Sequence, residues 1–137
     1  MERFLGRYEP HFYALLRIVS GFLFLLHGTQ KFFSFPPMPP QMPSAPLNGL
    51  MIAAAAIEVA AGLLILIGLF TSLAAFIASG MMAVAYFMAH QPQGALPASN
   101  GGDAAVLFCF IFLYMSARGS GILSVDSARR GGTGERR

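Results

Sequence analysis

The chain alternates long apolar runs with short polar breaks, and the runs lack the amphipathic spacing of a surface helix. They cover about residues 12–33, 48–70, 72–90 and 102–118. Each approaches the roughly 20 residues a helix needs to cross the hydrocarbon core of a bilayer. Backbone groups in lipid must be satisfied within the segment, so the runs predict helices. The expected fold class is all-α, an integral membrane four-helix bundle. Between the first two runs, residues 34–47 hold six of the nine prolines (Pro36, Pro37, Pro39, Pro40, Pro43, Pro46), which predicts an extended, polyproline-like surface loop. Asn48 follows as a candidate helix N-cap. A tight turn over residues 68–72 should fold the second and third runs into an antiparallel hairpin. A polar loop over residues 91–101 carries Pro92, Pro97 and Asn100-Gly101-Gly102. After Gly119 the chain is rich in Gly, Ser and Arg. The expected organisation is a membrane domain over residues 1–126, then a basic, disordered tail over 127–137.

Composition agrees with this class. Only 11% of the 137 residues are charged, against roughly 25% in soluble domains, and mean hydropathy is +0.62. Net charge is +3. The basic residues gather near the ends, at Arg3 and Arg7 and at Arg118, Arg129, Arg130, Arg136 and Arg137. That distribution speaks for a bilayer with anionic head groups as partner and against nucleic acid. The two loops after the first and third runs contain no Lys or Arg, with Lys31 at the edge of the first, so both termini are expected in the cytoplasm. Cys109 is the lone cysteine, which excludes an intrachain disulfide or a CxxC motif. The first run follows Arg3 and Arg7 as a signal peptide would. It is too long, and no small-x-small cleavage site follows, so it reads as a retained first span.

Glu58 is the most informative position. It is the one charge in the apolar stretch from Leu50 to Phe70. An ionisable side chain at membrane depth is costly, marks a candidate functional site and calls for a partner. Arg17, His27 and Lys31 fall on the first run. Rotating 100° per residue puts Ser20, Gly21, Phe24, His27, Gly28 and Lys31 within about 80° of Arg17, a single stripe that should face the bundle interior. By helical rise Glu58 lies between His27 and Arg17 in depth; Arg17, His27 and Lys31 are its candidate partners, the alternative for Lys31 being to reach back to the interface. Ala54, Ala55, Ala61 and Gly62 surround Glu58 at i±3 and i±4, so helices can approach closely there and leave room beside the carboxylate. His90 and Asp103 are expected at the rim of an outward-opening polar funnel. No metal-ligand cluster is read from the sequence.

The chain also resembles the DoxX family of small four-helix bacterial membrane proteins. The likeness runs from about Leu16 to Asp126. It is carried by Leu16-Arg17 with Gly21, by His27-Gly28-Thr29-Gln30-Lys31-Phe32, and by Glu58 with Gly62. Gly68-Leu69-Phe70-Thr71, Asn100-Gly101-Gly102-Asp103 and the run from Gly119 to Asp126 complete it. Ser72 stands where a basic residue often follows the turn, and Asp103 where Glu is common. The resemblance implies a multi-pass protein of the bacterial inner membrane, associated with quinone-linked sulfur oxidation or with oxidoreductase complexes that handle oxidative stress. It adds Gln30 and Asn100 to the candidate residues Arg17, His27, Lys31, Glu58, His90 and Asp103.

These features support a membrane subunit or accessory of a quinone-linked oxidoreductase. Quinone would be the ligand, and a partner protein would bring the redox centre, since none is encoded in this chain. A non-enzymatic scaffold, or a small proton or anion carrier working as a homo-oligomer, would use the same residues.

Overall fold

The computed structural model describes residues 4–40 and 48–133, with side-chain surroundings to residue 131. The second half of the Pro-rich loop and the last four residues lie outside that range. The described residues form helices and connections, with no strand among them. The elements are α1 (Glu9–Phe33), α2 (Gly49–Ile67), α3 (Thr71–Ala85), α4 (Pro97–Asn100), α5 (Asp103–Arg118) and α6 (Val125–Thr133). A π-helical turn, Tyr86–His90, and a 3-10 turn, Gln91–Gln93, extend α3. The helix at α6 departs from the disorder expected beyond Ser127. It is started by the Ser124 and Ser127 hydroxyls, with the Ser127 amide donating to Ser124 Oγ at 3.1 Å, a local cap that composition does not reveal.

Three helical segments are long and apolar enough to cross a membrane: Gly6–Phe33, Gly49–Ile67 and Thr71–Gln93. Helix α5 has 16 residues. At about 1.5 Å per residue it is roughly 24 Å long, below the roughly 30 Å of a hydrocarbon core. The run read over residues 102–118 forms this helix to within one residue. Large apolar side chains such as Phe22, Leu73, Phe76, Phe87 and Phe110 are exposed, as expected of surfaces that meet lipid.

Helix α1 packs on α2, α2 on α3 and α3 on α5. The α1–α2 crossing is the tightest, because glycines meet there. A Cβ built on Gly62 would lie 2.6 Å from the Leu25 amide nitrogen, and one on Gly21 would lie 2.6 Å from that of Leu66. Only glycine admits such an approach. The α3–α5 pair is joined by the Ser79 hydroxyl, which donates to the Cys109 carbonyl at 2.8 Å. Phe24 of α1 stacks edge-on against Phe112 of α5 at 4.8 Å, which closes the interior. As expected, Asn48 caps α2, its Oδ1 accepting from the Met51 amide at 3.0 Å. The termini end of the bundle thus carries the start of α1, the α2–α3 turn, the end of α5 and α6. The opposite, loop end carries the Pro-rich connection and α4.

Candidate functional site

Of the charged groups in the interior, Arg17 and Glu58 are buried most completely. The structure does not pair them. Glu58 sits on the α1-facing side of α2 and accepts from Lys31, with Nζ 2.6 Å from its Oε1. The Glu58 side chain is 3% exposed and the Lys31 side chain 23%, so the pair is approachable through its cation. Glu58 Oε2 is buried without a hydrogen-bond partner. Of the three candidate partners on α1, Lys31 and not Arg17 or His27 pairs with Glu58. The reason lies in the helices. Side chains lean toward the N-terminus of their own helix. Lys31 on α1 leans down from the loop end, and Glu58 on the antiparallel α2 leans up toward it.

The small residues around Glu58 serve the helix approach and not an open space. Gly28 faces α2 so closely that a Cβ there would lie 2.9 Å from the Ala55 carbonyl, and Gly62 is filled by the backbone of α1 at Leu25.

Arg17, like Lys31, leans toward the N-terminus of α1, which takes it to the termini end and away from Glu58. It is completely buried. Its Nη1 donates to the carbonyls of Ile65 and Leu66 at 3.0 and 3.1 Å, and its Nη2 to those of Ile122 and Leu123 at 3.4 and 2.7 Å. Ile65 and Leu66 are the last-turn carbonyls of α2, where intrahelical partners run out and the helix dipole is negative. The α2 C-terminus closes in a Schellman arrangement, with Leu69 N–H on Leu64 O at 2.9 Å and Gly68 N–H on Ile65 O at 3.2 Å. Gly68 has φ +72°, and a Cβ there would run into the Arg17 guanidinium. Glycine is required for both reasons.

Asp126 completes this knot. Its Oδ2 accepts from the Phe70 amide at 2.9 Å and the Ser120 hydroxyl at 2.6 Å, and its own amide donates to Gly68 O at 3.1 Å. Phe70 and Leu123 hold positive φ angles of 49° and 53°. Bulky residues persist there only where surrounding bonds over-determine them, and here Asp126 and Arg17 supply those bonds. Tyr13 donates to Gly119 O at 2.5 Å, and Arg118 pairs with Glu9 while lying 4.1 Å over the Tyr13 ring.

The remaining candidates do not form one funnel with Glu58. His27 is exposed at the edge of the α1 stripe, its Nδ1 on Leu23 O at 2.8 Å and its ring edge-on to Phe108. Gln30 is half-buried one residue before Lys31. His90, Asn100 and Tyr86 gather at the loop end of the α3–α5 pair. Asn100 is buried and donates to Gly94 O at 2.9 Å and Tyr86 OH at 3.3 Å, while its Oδ1 accepts from Gly102 N–H at 2.8 Å. His90 stacks on Tyr86 and reaches Asn100 O at 3.1 Å. Asp103 is exposed in the first turn of α5, where a carboxylate suits the helix dipole. Among the described residues no hydrogen bond or ion pair joins this loop-end cluster to Glu58. Sequence reasoning used Ser120 and Asp126 only as parts of a motif. Their roles come from contacts far apart in the chain.

Comparison with known proteins adds the following. Residues 12–91 match the family model named DoxX. An uncharacterized protein of Haemophilus influenzae is 41% identical over 126 residues, which covers 90% of this chain and 94% of that protein. No solved structure matches.

Proposed function

The chain belongs to the DoxX family, and from that premise we propose that it is a membrane subunit or accessory of a quinone-linked oxidoreductase, of the oxidative-stress or sulfur-redox kind, in the bacterial inner membrane. In this reading α5 crosses with the other three helices, with local thinning or tilt making up its length. Both termini are cytoplasmic, because Arg7, Arg118, Arg129 and Arg130 share the termini end while the described part of the loop end has Lys31 alone.

The observation that carries the reading is Glu58 Oε2, a buried acceptor without a donor beside a lysine reachable from outside. Buried polar atoms are nearly always satisfied, so an orphan calls for a ligand or a role. A quinol hydroxyl is a donor of the kind that orphan lacks. A bound quinone would supply two-electron, two-proton chemistry. Glu58 would accept a hydrogen bond or a proton at Oε2, and Lys31 would hold the carboxylate's other oxygen and keep the pair's charge balanced. Electrons would pass to a partner subunit.

The test uses the full chain in mild detergent. A short-chain quinone analogue should raise its melting temperature, and Glu58→Gln should keep the fold while losing the shift. Lys31 is partly exposed and can turn to solvent in that variant. No shift in the unsubstituted protein would remove the quinone reading. A scaffold reading has its own support in Arg17, a buried charge whose Nη1 and Nη2 donate to backbone carbonyls. It would gain if Glu58→Gln folded normally and left the cellular phenotype unchanged.

A further inference from the structure

His27 holds a second open polar atom on α1. Its Nδ1 lies 2.8 Å from the Leu23 carbonyl. A carbonyl only accepts, so Nδ1 carries a proton and donates it. In the neutral ring Nε2 is then a bare acceptor. Among the described residues Nε2 has no hydrogen-bond partner. His27 is exposed, and by helical rise it lies roughly 9 Å below the Phe33 end of α1, inside the apolar span. Lipid offers no donor at that depth, so the exposed nitrogen is as short of a partner as the buried Glu58 Oε2. Lys31 stands one helical turn beyond His27 on the same face, and it holds Glu58 at 2.6 Å. Exposed His27, partly exposed Lys31 and buried Glu58 thus lead from the outside of α1 to the orphan atom.

The two neighbours of α1 differ in what they let pass. Against α2 the approach is closed at Gly28 and Gly62, where even a Cβ has no room. Against α5 the contact is made by rings. Phe24 lies 4.8 Å from Phe112 and 5.9 Å from Phe108, and His27 is edge-on to Phe108 at 6.0 Å. Rings turn about side-chain bonds without moving a helix. The seam beside His27 is therefore the side of α1 that can open to a molecule dissolved in lipid.

Building on the quinone reading of Glu58, we propose that the site takes the reduced ligand, a hydroquinone, which enters between α1 and α5 and places one hydroxyl on Glu58 Oε2 and the other on His27 Nε2. Both open atoms are acceptors, and a hydroquinone brings a donor for each. The hydroxyl on Oε2 keeps a lone pair for Lys31, whose ammonium has N–H groups beyond the one on Oε1. An oxidised quinone brings carbonyls alone. It offers Lys31 an acceptor and leaves Oε2 and Nε2 as they were.

The experiment is anaerobic thermal unfolding of the full chain in mild detergent, titrated with a short-chain hydroquinone, the same molecule oxidised, or its monomethyl ether. The hydroquinone should act at concentrations at least about tenfold below the oxidised form, the worth of one hydrogen bond to a charged acceptor. The ether has one hydroxyl and should need about fivefold more than the hydroquinone. His27→Asn keeps a donor for the Leu23 carbonyl and removes the Nε2 acceptor. It should unfold close to the unsubstituted temperature without ligand, and should respond to hydroquinone as the unsubstituted protein responds to the ether. His27→Gln, whose amide oxygen reaches the Nε2 position, should recover most of the difference. Equal potency of the reduced and oxidised forms, of hydroquinone and its ether, or of hydroquinone on the His27→Asn and unsubstituted proteins would overturn this proposal and leave the quinone reading of Glu58 standing. A shift with neither redox form would remove both.

Discussion

The two ends of this molecule neutralise a buried charge by different means. At the termini end Arg17 has no carboxylate partner among the described residues. Four backbone carbonyls surround its guanidinium, two of them at the negative end of α2. Toward the loop end Glu58 has a lysine, and the bond is between side chains. The first arrangement is fixed by the fold itself. The second depends on a partner that is partly exposed and able to leave. Each also leaves one buried atom unpaired, Arg17 Nε and Glu58 Oε2. In Arg17 the orphan is walled in by a knot of bonds. In Glu58 it stands beside a lysine that is itself partly exposed.

The largest effect should come from Arg17→Leu. It removes the donors of carbonyls drawn from α2 and the post-α5 segment, at about 1–3 kcal/mol for each group left buried and unsatisfied. Thermal unfolding in detergent should show a large drop or no monodisperse protein. No second side-chain substitution is expected to rescue it, because the acceptors are backbone atoms. Lys31→Met tests the other end. It leaves Glu58 buried without its cation, a loss of about 3–5 kcal/mol, and adding Glu58→Gln should restore most of it. A double variant no better than Lys31→Met would erase the distinction drawn between the ends. The smallest effect belongs to Asn48→Ala, which removes the α2 cap for about 1 kcal/mol. A small fall in melting temperature, with the quinone-analogue response unchanged, would show that the α2 cap bears on stability alone.

Much of the fold was legible in the pattern of apolar runs, because lipid allows few solutions to backbone hydrogen bonding. Helix α1 from Glu9 to Phe33, the Asn48 cap and the turn near Gly68 follow from run length and turn residues. The α1 stripe was legible too, since Arg17, Ser20, Gly21, Phe24 and Gly28 are buried. His27, at the stripe's edge, is the exception. The partner of Glu58 was not legible from depth alone. Depth compares Cα heights, whereas antiparallel helices tilt their side chains in opposite directions, and that tilt brings Lys31 to Glu58 and takes Arg17 away. The extent of α5 was legible to within one residue, whereas the helix at α6 was hidden, because it depends on a local start at the Ser124–Ser127 exchange.

The Arg17 clamp also has a meaning in the order of synthesis. Half of the Arg17 acceptors, Ile122 and Leu123, are made 105 and 106 residues after it. Until they arrive, the first helix carries a charge that only half its final partners can hold. The segment after α5 therefore completes the burial of α1. A chain stopped before Ile122 would possess every apolar run and still lack the piece that settles the first one in lipid.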